Sequence, residues 1–171
     1  VSTVVKGREG IVKYNYFRLV IQASCYGADT TDSERLNEAL EISQAKEFVE
    51  KLTDNVKSKI SQGAVNVSGG QKQRLSIARS LYNKPEILIF DDSFSALDYR
   101  TDKILRKELR ERSKGSTSLI VAQRIGTIME ADLIIVLEEG RIVGQGKHKE
   151  LLKSCPIYKE IAMSQLSEEE L

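Results

Sequence analysis

The chain has 171 residues, of which 40% are hydrophobic and 30% are charged, a composition typical of a globular domain rather than a disordered or fibrous protein. Lys and Arg number 26 and Asp and Glu number 25, so the formal net charge is +1, which argues against binding nucleic acid through bulk positive charge. The chain has two distant cysteines and one histidine, which argues against a disulfide framework and a histidine-based zinc site.

The first 27 residues form the least regular part of the sequence. Val1–Val5 and Ile11–Ile21 are rich in β-branched and aromatic residues, which favours strands. The longest apolar run, residues 133–137, has five residues, whereas a membrane span needs about 20. The sequence therefore predicts a soluble chain without a transmembrane segment, and its N-terminus lacks a secretory pattern.

Three helices are predicted in the first half of the chain. Thr31 and Glu34 fit a capping box, with Thr31 as the cap, and apolar residues follow at helical spacing: Leu36, Ala39 and Leu40. A short second helix is predicted over residues 44–52. A third is predicted over residues 70–82, with four residues facing inward: Leu75, Ala78, Leu81 and Tyr82.

From residue 87 onward, strands and helices alternate. The apolar run 87–90 predicts a parallel strand that is buried on both faces, and the run 133–137 predicts another buried strand. The other predicted elements are a strand at 119–122, a hairpin turn at 138–140 leading into a strand at 141–145, and helices at 101–112 (with Ile104, Leu105 and Leu109 inward), 125–129, 149–153 and 157–165. This alternation predicts an α/β layered sheet.

A cluster of small and polar residues precedes the third helix. In Val67-Ser68-Gly69-Gly70-Gln71, a serine at a helix start is followed by two glycines, which leaves several backbone N–H groups approachable. These groups and the partial positive charge of the helix N-terminus favour an anion, usually phosphate. Ser68 can add its hydroxyl and Gln71 its amide. The pentapeptide fits a plain capped helix start equally well.

Two aspartates end the apolar run 87–90. Asp91 and Asp92 therefore lie at the carboxyl edge of the predicted sheet, where ligands of open α/β sheets bind. Asp91 can hold Mg²⁺ there, directly or through water. Adjacent strand residues point to opposite faces, so the two carboxylates do not share a proton. The alternative interpretation is an acidic transition from strand to loop.

Three segments follow one another at short spacing: residues 67–71, 88–92 and 95–98. Their order resembles the nucleotide-binding domain of the ATP-binding cassette (ABC) transporters, in which they would be the signature motif, the Walker B motif and the D-loop. Residues 140–152 resemble the closing hairpin and helix of the exporter branch. His148, at the start of that helix, is interpreted as a surface or capping histidine.

The resemblance implies a P-loop NTPase-like layered α/β sheet, present in part, with part of the α-helical subdomain of ABC ATPases. It assigns residues 28–171 to the C-terminal part of the nucleotide-binding domain, with the helical subdomain at about 28–82 and the ATPase core at about 83–171, and leaves residues 1–27 unassigned. The Walker A motif, G-x-x-x-x-G-K-[ST], does not occur in the sequence. We therefore expect a chain truncated before the signature region, without the main phosphate-binding loop.

The resemblance also implies a role for each candidate residue. Asp91 would hold Mg²⁺, Asp92 would orient the attacking water, Gln123 would sense the γ-phosphate, and Asp98 would link the two ATP sites of a dimer. The signature residues would contact the γ-phosphate of ATP bound by the other subunit: Ser68, Gly69, Gly70 and Gln71.

Two positions depart from the family pattern. Asp92 stands where the family usually has glutamate, one methylene longer, and a displacement of about 1 Å can lower a rate roughly 10²-fold. Gln123 replaces the switch histidine before Arg124 and cannot carry a proton. Both changes resemble the degenerate subunit of heterodimeric exporters.

We therefore expect part of the ATP-binding and ATP-hydrolysing subunit of an ABC exporter, with ATP and Mg²⁺ bound in the complete dimer. The expected partners are a second ABC subunit and a transmembrane domain, which places the chain at the cytoplasmic face of the cell membrane; no nucleic acid is expected. Two alternatives stay open: a truncated, non-catalytic remnant that cannot bind ATP alone, and a soluble ABC ATPase that is not engaged in transport.

Overall fold

The structure is a computed structural model that describes residues 18–19, 32–61, 66–113 and 115–167. The strand predicted at 1–5 and most of the strand predicted at 11–21 lie outside the described residues. Within the latter, a two-residue strand pairs antiparallel with a second short strand at residues 59–60.

Helices and strands alternate along the described chain, which confirms the mixed α/β class. In chain order the elements are β1 (Arg18–Leu19), α1 (Ser33–Ile42), α2 (Lys46–Glu50), a 3₁₀ turn (Asn55–Lys57), β2 (Lys59–Ile60), α3 (Gly69–Tyr82), β3 (Ile87–Asp91), α4 (Tyr99–Arg112), β4 (Thr117–Val121), α5 (Ile125–Ile128), β5 (Ile134–Glu138), β6 (Arg141–Gly146), α6 (His148–Ser154) and α7 (Pro156–Gln165). Within the described ranges, none of the helices combines the length and the apolar character needed to cross a membrane.

The described residues fall into two compact units. The helical unit takes its residues from 18–88 and 93–119, and the hairpin unit takes its residues from 89–92 and 120–167. The division passes through β3 and β4, so each of these strands contributes residues to both units.

Helix α1 begins at an aspartate cap and is bonded to α3. The Asp32 carboxylate accepts hydrogen bonds from the N–H groups of Glu34 and Arg35 at 2.9 and 3.1 Å, so the cap is Asp32 and not the predicted Thr31. Aspartate and threonine are both strong caps, and the sequence places them side by side. The Asp32 N–H donates to the Tyr82 hydroxyl at 2.7 Å, which ties the start of α1 to the end of α3.

The apolar stripes predicted for the helices of this unit are buried, with one exception. In α4, Leu105 and Leu109 are buried, but Ile104 is 38% exposed. Neighbouring residues of a helix are rotated by about 100°, so Ile104 lies at the edge of the stripe that Leu105 and Leu109 share. The predicted inward residues of α1 and α3 are all buried: Leu36, Ala39, Leu40, Leu75, Ala78, Leu81 and Tyr82.

Strands β3 and β4 are hydrogen-bonded neighbours, and the bonds at their two ends show that they run in the same direction. The Thr117 N–H at the start of β4 donates to the carbonyl of Glu86, just before β3, at 2.7 Å. Just after β3, the Asp92 N–H donates to the carbonyl of Val121, at the end of β4, at 3.1 Å. The carboxyl ends of the two strands therefore meet at one sheet edge.

The prediction that β3 is buried on both faces is wrong, and β5, predicted as another buried strand, is buried mainly on one face. Leu88 and Phe90 are buried, whereas Ile87 and Ile89 are 64% and 59% exposed. Burial along β5 alternates in the same way. Because side chains alternate between the two faces of a strand, each strand buries only one of its faces among the described residues. An unbroken apolar run does not by itself show that both faces are covered.

The hairpin unit is built on β5 and β6, which pair antiparallel as predicted. Glu138 pairs with Arg141, and the two residues between them, Glu139 and Gly140, have φ angles of 47° and 78°. Positive φ at both central positions is what a two-residue hairpin turn of type I′ requires. Helices α6 and α7 complete a core made of Ile125, Ile134, Val136, Leu151, Cys155, Tyr158 and Ala162.

Candidate functional site

The first candidate segment is the start of α3, where Ser68 is the N-cap. The Ser68 hydroxyl oxygen accepts from the Gln71 N–H at 3.2 Å, and the Ser68 N–H donates to the Gln71 side-chain oxygen at 2.8 Å. This reciprocal pair is a capping box. It uses both side-chain oxygens as acceptors and leaves the hydroxyl hydrogen and the Gln71 amide NH₂ group out of the box. The geometry therefore fits both interpretations of the pentapeptide. It is a capped helix start, and it also presents donors that an anion site needs.

The loop 95–98 lies against this helix start. A Cβ atom added to Gly70 would come within 3.0 Å of the Ala96 carbonyl oxygen, so a side chain at position 70 would push the loop away. Gln73, one turn into α3, holds the same loop: its side-chain oxygen accepts from the Ala96 N–H at 2.9 Å and its NH₂ group donates to the Ser95 hydroxyl at 3.2 Å. The predicted signature and D-loop segments are thus adjacent within the helical unit.

Asp98, at the end of this loop, is the N-cap of α4. Its carboxylate accepts from the Thr101 N–H at 2.9 Å and from the Thr101 hydroxyl at 2.7 Å. These hydrogen bonds, the backbone one first, lower the pKa of the Asp98 carboxyl group below its usual value. Asp98 therefore stabilises the start of α4, whether or not it also contacts a ligand or partner.

Asp91 and Asp92 lie at the carboxyl end of β3, and both are exposed. Asp91 is the last strand residue. Asp92 has a φ angle of 49°, in the left-handed region that non-glycine residues seldom adopt and that aspartate tolerates better than most. The chain turns sharply at Asp92. The hydrogen bond from the Asp92 N–H to the Val121 carbonyl holds this turn beside the end of β4.

Gln123 lies in the connection between β4 and α5, and its side chain is exposed. Its backbone carbonyl accepts a hydrogen bond at 3.0 Å from the side chain of Gln165, at the end of α7. The hairpin unit therefore carries Asp91, Asp92 and Gln123, and the helical unit carries the signature segment and Asp98.

The described residues offer single carboxylates rather than a cluster of metal ligands. Among the described residues there is no group of three or more His, Cys, Asp or Glu side chains that could hold a metal ion. Mg²⁺ prefers oxygen ligands, keeps several waters, and is usually held by one or two carboxylates together with phosphates. An exposed carboxylate such as that of Asp91, at a strand end, is suited to that mode.

His148 is buried, so its interpretation as a surface or capping histidine is wrong. Only 6% of the residue is exposed, and its Nδ1 atom lies 2.8 Å from the Tyr158 hydroxyl. Burial, and to a smaller extent the nearby Lys149, lowers the pKa of the imidazole below its usual value. Burial also raises the pKa of Tyr158 to about 12. The pair joins α6 to α7.

Comparison with known proteins identifies the family. A family model described as ABC transporter matches residues 10–95, which is half of the chain. The chain belongs to the ABC transporter family. This confirms the resemblance drawn from the three short segments.

Relatives and solved structures agree with this assignment. The chain is 48% identical over 128 residues to an uncharacterised ABC transporter ATP-binding protein of Mycobacterium tuberculosis, covering 75% of this chain and 22% of the relative. It is 39% identical over 139 residues to a multidrug resistance ABC transporter ATP-binding and permease protein of Lactococcus lactis, covering 81% and 23%. A bacterial Atm1-family ABC exporter solved with ATP bound superposes with a TM-score of 0.82 at 32% identity, over 88% of this chain and 26% of that one.

These matches confirm the ABC ATPase fold, present in part. They also show that the chain spans about a fifth to a quarter of the length of these relatives. The activity, substrates and partners of a whole transporter are therefore matters for a proposal.

Proposed function

We propose that the chain is part of the ATP-binding and ATP-hydrolysing subunit of an ABC exporter, from the degenerate half of a heterodimer. The observation that carries the proposal is the start of α3, where a capped, glycine-containing turn presents donors and is held against the loop 95–98 by Gln73. In this proposal, residues 28–82 belong to the helical subdomain and residues 83–171 to the ATPase core.

The signature segment would contact ATP that is bound mainly by the second subunit. The Ser68 hydroxyl, the Gln71 amide and the backbone N–H groups of the two glycines would donate hydrogen bonds to the γ-phosphate. The first N–H groups of a helix have no partner within the helix, and the helix dipole favours an anion at this end. The exposure of Ser68 and Gly69 supports the proposal, because a phosphate can approach them from solvent.

Asp91, Asp92 and Gln123 would act at the nucleotide of this subunit. Asp91 would hold Mg²⁺, which neutralises phosphate charge during phosphoryl transfer. Asp92 would accept a hydrogen bond from the attacking water and orient it. The Gln123 amide would donate to the γ-phosphate, but unlike histidine it cannot take up a proton. The short side chain of Asp92 and the amide of Gln123 both predict slow hydrolysis at this half-site.

The comparisons favour transport over a soluble role. The Lactococcus relative is named an ATP-binding and permease protein, and the Atm1-family structure is an exporter. By similarity, the chain would work at the cytoplasmic face of a membrane, attached to a transmembrane partner. Asp98, which caps α4 beside the signature segment, would transmit changes between the two ATP sites.

Two substitutions in the full-length heterodimer test this proposal. Ser68→Ala removes a donor aimed at the competent site of the partner, so we expect total ATP turnover to fall by about 10- to 10³-fold. Asp92→Asn affects a half-site that is already weak and should lower total turnover much less. Steady-state ATP hydrolysis by the two purified heterodimers measures the difference.

Matched variants separate chemistry from folding. Ser68→Thr keeps the hydroxyl and the cap and should retain most of the activity, whereas Ser76→Ala removes an exposed hydroxyl further along α3 and should change nothing. If Asp92→Asn abolishes turnover while Ser68→Ala leaves it intact, this subunit holds the working base and the proposal is wrong.

A further inference from the structure

One side chain bonds to the Gln123 connection at two points. The Gln165 side-chain oxygen accepts from the Ile125 N–H at 2.8 Å, and its NH₂ group donates to the Gln123 carbonyl at 3.0 Å. Gln165 thus uses an acceptor and a donor on two backbone groups that are two residues apart. We call this arrangement of Gln165, Gln123 and Ile125 the glutamine clamp.

The clamp supplies the side-chain cap that the residues next to α5 do not provide. Helix α5 has only four residues, and its N-cap residue, Arg124, makes no side-chain capping bond. Ile125 is the first residue of this helix, and its N–H group has no acceptor within the helix. Ile125 itself is buried, where an unpaired backbone N–H would be costly. Gln165 therefore caps α5 from a distance of 40 residues along the chain.

Helix α7, which carries Gln165, is held in place by its packing, while the Gln165 residue itself is exposed. Tyr158 and Ala162 of α7 are buried in the core of the hairpin unit, and the Tyr158 hydroxyl is bonded to His148 of α6. Gln165 follows Ala162 by three residues, close to one helical turn, so it extends from a well-packed helix. A side chain anchored in this way can restrain a connection that has little regular structure of its own.

We propose that Gln165 is a positioning residue that fixes the backbone of residues 123–125, so that the exposed side chain of Gln123 projects from a constant place. This role rests on the proposed function, in which Gln123 contacts the γ-phosphate. The proposal gives Gln165 no contact with nucleotide. Its effect passes through the two backbone hydrogen bonds, so a variant that removes both bonds and one that removes only the bond to Gln123 have distinct, measurable effects.

Amide hydrogen exchange and carbonyl chemical shifts of the 171-residue chain, without nucleotide, test the clamp by NMR. Gln165→Leu removes both bonds, so we expect exchange at the Ile125 amide to become about 2- to 10-fold faster and the carbonyl ¹³C shift of Gln123 to change. Gln165→Glu keeps an acceptor for Ile125 but loses the donor. Exchange at Ile125 should then stay within about twofold of wild type, while the Gln123 carbonyl shift still changes.

Met163→Ala is the matched control, because Met163 lies on the same helix and is 59% exposed. It should leave both signals unchanged. Unaltered exchange at Ile125 in Gln165→Leu would overturn the proposal. So would equal acceleration at the core residues Val136 and Leu151, because that pattern means general loosening rather than loss of a clamp. The experiment contains no nucleotide, so its failure removes the clamp and leaves the proposed function standing. Failure of the Ser68 and Asp92 ordering removes the proposed function and leaves the clamp as a purely structural feature.

Discussion

His148 shows how a titratable side chain can be placed in a core. Its Nδ1 atom faces the Tyr158 hydroxyl, while its Nε2 atom is buried with no hydrogen-bond partner among the described residues. A charged imidazole would need a partner for a second N–H donor, which this site does not supply. The neutral form is therefore favoured, in agreement with the lowered pKa.

This environment predicts a loss of stability on mild acidification. The unfolded chain takes up a proton near the ordinary histidine pKa of 6.5, whereas the folded chain does so only at lower pH. The free energy of unfolding should be constant well above pH 6.5 and should decrease as the pH falls below 6.5 towards the folded-state pKa. Urea denaturation at several pH values between about 7.5 and 5.5 measures this slope.

His148→Gln is the matched variant, because glutamine can bond to Tyr158 but does not titrate. Its unfolding free energy should vary less over the same pH range. Glu41 and Asp98, whose pKa values are lowered, titrate below this range and do not contribute to the difference. Identical slopes in the two proteins would contradict the assignment to His148.

At this scale, the sequence identified residues whose partners are near in the chain. The Ser68 cap could be predicted because its partner, Gln71, is three residues away. Gln73 and Gln165 were missed, because they bond to groups 22 to 42 residues away. Only the fold brings these groups together, and no local pattern marks either glutamine.

At the scale of elements, helix and strand types followed from periodicity and turn residues. The start of α3 was predicted at residue 70 and lies at Gly69, and the hairpin turn was predicted at the observed position. Burial was less predictable. The alternation of exposed and buried residues in β3 and β5 depends on what packs against each face, and an all-apolar strand has no polar residue to mark its exposed face.

The contact between β6 and the start of α7 gives a prediction about a glycine. A Cβ atom added to Gly144 would lie 2.8 Å from the Cys155 sulfur and 3.2 Å from a methyl carbon of Leu151. Gly144→Ala should therefore force β6 away from the helices and lower the free energy of unfolding by about 1–3 kcal/mol. The shift of the urea midpoint measures this loss.

Gly126→Ala is the control, since an added Cβ there has no neighbouring atom within 4 Å. Alanine at this helical position should leave stability unchanged or raise it by up to about 1 kcal/mol. Equal destabilisation by the two alanines would mean that the close packing at Gly144 is not the cause.

At the scale of the whole molecule, the family of the chain is known, although the chain covers only part of its relatives. The order and spacing of three short segments were enough to indicate the ABC transporter family, which the family match confirms. The chain covers only about a quarter of the superposed exporter. A fold of this kind is shared by proteins with different cargo.

The affinity of the isolated chain for nucleotide can be measured directly, and we expect it to be weak. Its sequence contains no Walker A motif, so we expect the isolated 171-residue chain to bind Mg-ATP with a Kd no tighter than about 1 mM, or about −4 kcal/mol. Isothermal titration calorimetry measures this value, with inorganic phosphate as the reference for weak anion binding. Micromolar affinity for Mg-ATP would reveal a phosphate-binding loop that the sequence does not display.

The capping box at Ser68 has a consequence for the thermodynamics of recognition. Because Ser68 and Gln71 already hold each other, both side chains have given up rotamer freedom before any ligand arrives. An anion that docks at this helix start would lose little further conformational entropy in those side chains, and a larger share of each hydrogen bond would appear as affinity. The same box restrains these two side chains, so they would favour anions whose shape matches the positions of their donors.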